Sequence, residues 1–142
     1  MNDRTDSAAT ARALARALPL LARDSVACAL AAATLPGPEG IALRRPLRRM
    51  ARDELTALEG IAARVATLDA LPEVRPSNVK LPNGWKAAVR ALVTMQRETL
   101  EALVAAIPAD ADDVEGEATE HLLEHAIARK RDALELLERA LR

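Results

Sequence analysis

The feature that most limits how this chain can fold is an apolar half that contains almost no rings. Of 142 residues, 50% are hydrophobic, yet there is no Phe, no Tyr and a single Trp. The apolar mass is Ala and Leu, with Val and Ile behind them. Strands draw on β-branched and aromatic residues, so this composition argues against an all-β fold. Ala, Leu, Arg and Glu are instead strong helix formers. The length fits one domain over residues 1–142, with enough chain to bury a core. A formal charge of −1 provides no overall field for nucleic acid. The one cysteine can form neither an internal disulfide nor a cysteine metal cluster. The opening stretch MNDRTDSAATAR has no signal-peptide pattern. The longest uncharged run, Ser25 to Pro38, is too short to span a bilayer. The expectation is a soluble, cytoplasmic, all-helical protein with no membrane partner.

Proline and glycine divide the chain into four helical blocks. The first spans about 7–35 and stops at Pro36-Gly37-Pro38; Pro19 should kink it or mark a second start. The second spans about 46–71 and stops at Pro72. Pro46 suits its first turn, which leaves Ile41 to Arg45 as a separate short turn unless the helix starts back at Glu39. The third spans about 84–107, with Asn83 as N-cap, and ends before Pro108. The fourth spans about 112–141, with Asp112 and Glu115 at capping-box spacing.

Each block carries a stripe at 3–4 spacing, which a four-helix bundle would bury. The stripes are Leu14-Ala17-Leu21-Asp24-Cys28-Ala31-Leu35, Leu47-Ala51-Glu54-Leu58-Ile61-Val65-Leu68, Val89-Leu92-Gln96-Leu100-Leu103-Ile107 and Leu123-Ile127-Lys130-Leu134-Leu137-Leu141. The first two blocks, and the last two, are joined by short connections and should form antiparallel hairpins. The link from Pro72 to Gly84 is long and holds three prolines. Extended, it reaches about 43 Å, against roughly 39 Å for the second helix. It can therefore run the length of the bundle. The predicted fold is all-α: a four-helix bundle of two antiparallel hairpins joined by a long crossover.

One polar residue interrupts each stripe: Asp24, Glu54, Gln96 and Lys130. A polar group on a core stripe needs a partner. Four of them, one per helix near its middle, are expected to meet; the plainer alternative is that some lie off register and face water.

At these residues the chain resembles the ferritin-like superfamily, and bacterioferritin within it. RDSVACALAA (Arg23 to Ala32) resembles the first-helix segment, with Asp24 at a ligand position. ARDELTAL (Ala51 to Leu58) and ARVATLDALPEV (Ala63 to Val74) resemble the second helix and its exit, with Glu54 matching the Glu of Glu-x-x-His and Ala57 standing where His would be. ALVTMQRETLEALVAAI (Ala91 to Ile107) resembles the third, with Gln96, or less well Glu98, at the Glu position. In the fourth, Ile127 and Lys130 fall where Glu and His would be. The resemblance implies a bundle whose diiron site has degenerated. Asp24 and Glu54 would pair with Lys130, Gln96 would fill the remaining hydrogen-bonding capacity, and no metal or other cofactor would be held. The bacterioferritin haem ligand is a Met directly after the retained Glu; Leu55 stands there, so no haem is expected.

Other signals have plain readings beside the sharp ones. His121 and His125 are at i, i+4 and could grip a zinc or nickel ion, but they lie off the stripe on what reads as a solvated face. Arg44, Arg45, Arg48, Arg49 and Arg52 would form a basic surface able to hold phosphate or nucleic-acid backbone. Arginine is the default cation here, however, and base-stacking aromatics are missing. Cys28 reads as a small buried hydrophobe, Met50 and Met95 as core filler, and Trp85 as an anchor for the crossover. No phosphate loop, nucleophile elbow or dinucleotide fingerprint is present.

Three functions follow. The first is a non-catalytic ferritin-like protein serving as a structural or interaction subunit, a homo-oligomer with a dimer favoured, or a partner of an intact ferritin-like subunit. Ala29, Ala33, Ala62 and Ala66 would permit close contact between helices of neighbouring chains. The second is a divergent iron- or manganese-binding protein using Asp24, Glu54, Gln96 or Glu98, for iron storage or ferroxidase-like chemistry. The third is an arginine-patch adaptor for nucleic acid or an acidic partner.

Overall fold

Helix-forming composition and 3–4 striping carry nearly the whole chain into α-helix. The computed structural model describes residues 2–68, 70–109 and 114–142, with side chains from Ser7 onward. Its four helices are α1 (Asn2–Thr34), α2 (Gly37–Thr67), α3 (Trp85–Ala105) and α4 (Val114–Ala140). The described residues contain no strand.

Two prolines read as a kink or second start (Pro19) and a first-turn residue (Pro46) both lie inside continuous helices. α1 runs through Pro19. α2 starts at Gly37, so 41–45 is no separate turn, and Pro46 lies inside the helix. A proline removes the bond to the carbonyl four residues back. Pro46 leaves the Ala42 carbonyl free, and Ala42 is exposed, so water can serve it. Meanwhile Leu43, Leu47 and Met50 bury on the core side and hold the helix together. Here tertiary packing outweighs local propensity.

Three helix ends also differ from the sequence expectation. α2 stops at Thr67 rather than residue 71, and the Leu68 N–H closes its last turn on the Arg64 and Val65 carbonyls. The residue before a proline avoids the helical region, so unwinding ahead of Pro72 is the physical result. α3 is preceded by Gly84, at φ +88°, and not capped by the Asn83 side chain. α3 ends at Ala105, so Ile107 lies beyond it and is exposed. The Asp112 cap lies outside the described residues. The start of α4 is tied down instead by Arg64 of α2, which bonds the Glu115 carbonyl and carboxylate and the Thr119 hydroxyl.

Two core clusters fix the helix directions. One joins Ala27–Ala32 of α1 and the adjoining Leu35 to Leu43–Ala51 of α2, Ala88–Val93 of α3 and Ala133–Leu137 of α4. The other joins Leu14–Leu21 of α1 to Ala57–Val65 of α2, Leu103 and Ala106 from the end of the third block, and Leu123–Ile127 of α4. So α1 ends where α2 and α3 begin and α4 ends. α1 is antiparallel to α2, α3 is antiparallel to α4, and α2 is parallel to α3. The crossover spans the distance between: Ala70 and Val74 pack on the second cluster, Val79 and Leu81 with Trp85 on the first.

α1 neighbours α2 and α3, and α4 neighbours α3 and α2. The stretch Ser7–Thr34 is long and apolar enough to cross a membrane by length and composition, contrary to the sequence expectation. Half of its most apolar 18 residues are buried in the bundle. An Ala- and Leu-rich core helix meets the same criterion as a span.

Candidate functional site at the bundle centre

The stripes that build the core also deliver Asp24, Glu54, Gln96 and Lys130 to one level, between the two apolar clusters. All four are buried. The Lys130 ammonium of α4 donates to Asp24 Oδ2 of α1 at 2.7 Å, Glu54 Oε1 of α2 at 2.6 Å and Gln96 Oε1 of α3 at 2.8 Å. An ammonium has three hydrogens, so its donor capacity is filled by one acceptor from each of the other helices.

Two residues that the striping did not flag complete the arrangement. Thr99 donates to Asp24 Oδ2 at 2.5 Å. Arg23 reaches Asp24 Oδ1 with Nε at 3.1 Å and also bonds the Met95 carbonyl and Glu98. Arg23 adjoins Asp24 in sequence and Thr99 lies one turn past Gln96. Arg23 sits beside its stripe and carries no periodic signal. Thr99 does continue the 3–4 spacing Leu92-Gln96-Thr99-Leu103, but Leu100 next to it is the more apolar choice for the stripe, although Thr99 is the fully buried one. Glu98, the alternative to Gln96, lies at the exposed edge on Arg23 and does not reach the centre.

The two carboxylates are served unequally. Asp24 accepts at both oxygens. Glu54 accepts only at Oε1, and its buried Oε2 has no partner. Burial pushes the Glu54 carboxyl up to about 7, against the pull of Lys130. Gln96 Nε2 turns to the Cys28 sulfur at 3.7 Å, a weak contact. Burial pushes the Cys28 thiol up to about 12, which leaves it an unreactive core residue.

Ala57 and Ile127 are buried beside this level and present only carbon. Ala57, Ala126 and Ala133 line a slot of about 170 Å³ between α2 and α4, with Glu54 and Lys130 also on its wall. Among the described residues, no three His, Cys, Asp or Glu side chains are placed to hold a metal together. The arginines Arg44, Arg45, Arg48, Arg49 and Arg52 are all exposed along α2. Leu55 is exposed on the same helix, Met50 is in the core and Met95 is half-buried. His121 and His125 are exposed on α4.

A crystal structure of ferritin-like, diiron-carboxylate proteins from Bacillus anthracis strain Ames matches this bundle with a TM-score of 0.87. The match covers 96% of this chain and 98% of that one, at 20% identity. The fold is ferritin-like. No protein-family model and no curated protein matches the sequence. The ferritin-like crossover accounts for the parallel run of α2 and α3, and the ferritin-like bundle centre is the level at which Lys130 sits.

Proposed function

We propose that this chain is a non-catalytic ferritin-like protein in which a lysine takes the place that metals hold in a diiron bundle, and that it serves as a structural or interaction subunit. The observation that carries this reading is the buried Lys130 ammonium, bonded to one side chain from each of the other three helices. These residues do not fit a pair of iron ions. A diiron bundle supplies a Glu from each of two helices and Glu-x-x-His from each of the other two. This centre offers two carboxylates, one amide and no imidazole. The ammonium already occupies oxygens of both Asp24 and Glu54. A metal cation beside it would meet strong repulsion in so buried a site. Lys130 instead supplies the counter-charge the two carboxylates need.

The interaction role is supported by the outer face of α1. Val26, Ala29, Leu30 and Ala33 recur there at 3–4 spacing and are exposed. A homodimer through this face is the arrangement we favour, with an intact ferritin-like subunit as the other partner it would accept.

The test is metal content by elemental analysis before and after aerobic Fe(II) loading, with oxygen uptake followed. The native chain is expected to stay far below one metal per molecule and to consume no oxygen. Lys130→His combined with Ala57→His, which restores two imidazoles, should raise the iron content. Stoichiometric iron with oxygen consumption by the native chain would overturn the reading.

A further inference from the structure

The bundle centre leaves unused a second pair of side chains with metal-ligating atoms, on the outside of α4. His121 and His125 stand one turn apart, the spacing that stacks side chains on one helix face. Their rings meet edge to face at 88°, and their Nε2 atoms lie 3.2 Å apart. Imidazole nitrogens bind such cations at 2.0–2.1 Å. Two nitrogens 3.2 Å apart then subtend roughly 100° at a shared ion, between the square-planar and tetrahedral angles. The nitrogen spacing suits a chelate, and both rings are exposed, so they can turn their lone pairs toward a shared ion without opening the bundle.

We propose that His121 and His125 form a two-imidazole chelate for one borderline divalent transition-metal ion of the copper, nickel or zinc type. The surroundings favour a cation. Glu117, Glu120 and Glu124 lie on the same half of α4, which has no Lys or Arg of its own before Arg129; Glu115 is already paired with Arg64 of α2. Two neutral imidazoles select borderline ions; magnesium and calcium prefer oxygen ligands. Without metal, the same 3.2 Å contact is a hydrogen bond from one ring N–H to the other ring's lone pair. Coordination requires both Nε2 lone pairs, so each ring then carries its hydrogen on Nδ1. Water completes the coordination sphere, because no third described side chain joins the pair. The site is on the opposite side of α4 from Lys130 and does not rest on the reading of the bundle centre.

Calorimetric titration of the full chain with Cu(II), Ni(II), Zn(II) and Mg(II) tests this. One saturable site per chain is expected, tightest for Cu(II) and undetectable for Mg(II). His121→Ala and His125→Ala should each weaken Cu(II) binding by at least about tenfold, since the second nitrogen acts at high effective concentration. The double variant, with no imidazole left, should bind at least as weakly as the weaker single one. A further variant, His125→Ala with Ala128→His, keeps two histidines on the exposed face but destroys the bite, and it should bind like the single variants. Absence of a saturable Cu(II) site in the native chain would overturn the proposal. So would Cu(II) binding that survives in the His125→Ala, Ala128→His chain, which would mean adventitious capture by scattered histidines. All four substituted chains alter only exposed positions, so unchanged helical circular dichroism should accompany every measurement.

Discussion

Lys130 is held by three side chains that it could not meet within its own helix, and its neighbours are satisfied to different degrees. Asp24 keeps Arg23 and Thr99 if the lysine is removed. Glu54 loses its one cation and the bond at Oε1, and among the described residues is left beside only the Gln96 amide and the Asp24 carboxylate. Removing one member of a buried charge pair costs about 3–5 kcal/mol. Lys130→Met should therefore destabilise by about that amount at about pH 8, and by less at about pH 5, where Glu54 can take up a proton and become neutral. Denaturant unfolding at the two pH values measures the difference. Glu54 also imposes a pH slope on the native chain. Its folded value of about 7 stands above the ordinary 4.5, so the folded state binds the extra proton between them. That contribution to stability is whole below the ordinary value and is lost as the pH rises through about 7. Glu54→Gln should flatten the slope in that window; an unchanged slope would assign it to other groups.

At the scale of elements, the close seams between helices matter as much as the helices. Gly40, in the first turn of α2, packs so tightly on the end of α1 that an added Cβ would strike the Leu35 carbonyl oxygen. Backbone cannot yield there, and Gly40→Ala should cost about 1–3 kcal/mol, in the range of overpacked cores. Gly60 is the useful comparison, because its added Cβ would meet only the flexible end of Leu122. Gly60→Ala should lower the melting temperature less than Gly40→Ala. The reverse order would mean that α2 can shift along α1 more easily than it can move against α4.

For the whole molecule, the exposed face of α1 carries the assembly prediction. Val26→Glu should convert a dimer to monomer in sedimentation while leaving the helical content intact; a native chain that is monomeric at high concentration would remove this face as the contact. The architecture was legible at the level of residues. Missing rings and abundant Ala and Leu mark helices, the 3–4 stripes locate four core faces, and the long proline-bearing link between Pro72 and Gly84 permits the crossover. Asp24, Glu54, Gln96 and Lys130 stood out because a polar group on a repeating apolar stripe is a local irregularity that periodicity exposes. The sequence alone could not place Arg23 and Thr99, keep α2 intact through Pro46, or leave one oxygen of Glu54 unserved. Those facts depend on which helices face each other and at what height. Composition and spacing act along one chain segment at a time. Hydrogen-bond satisfaction in a buried site is a property of several segments brought together, and only the packed bundle decides it.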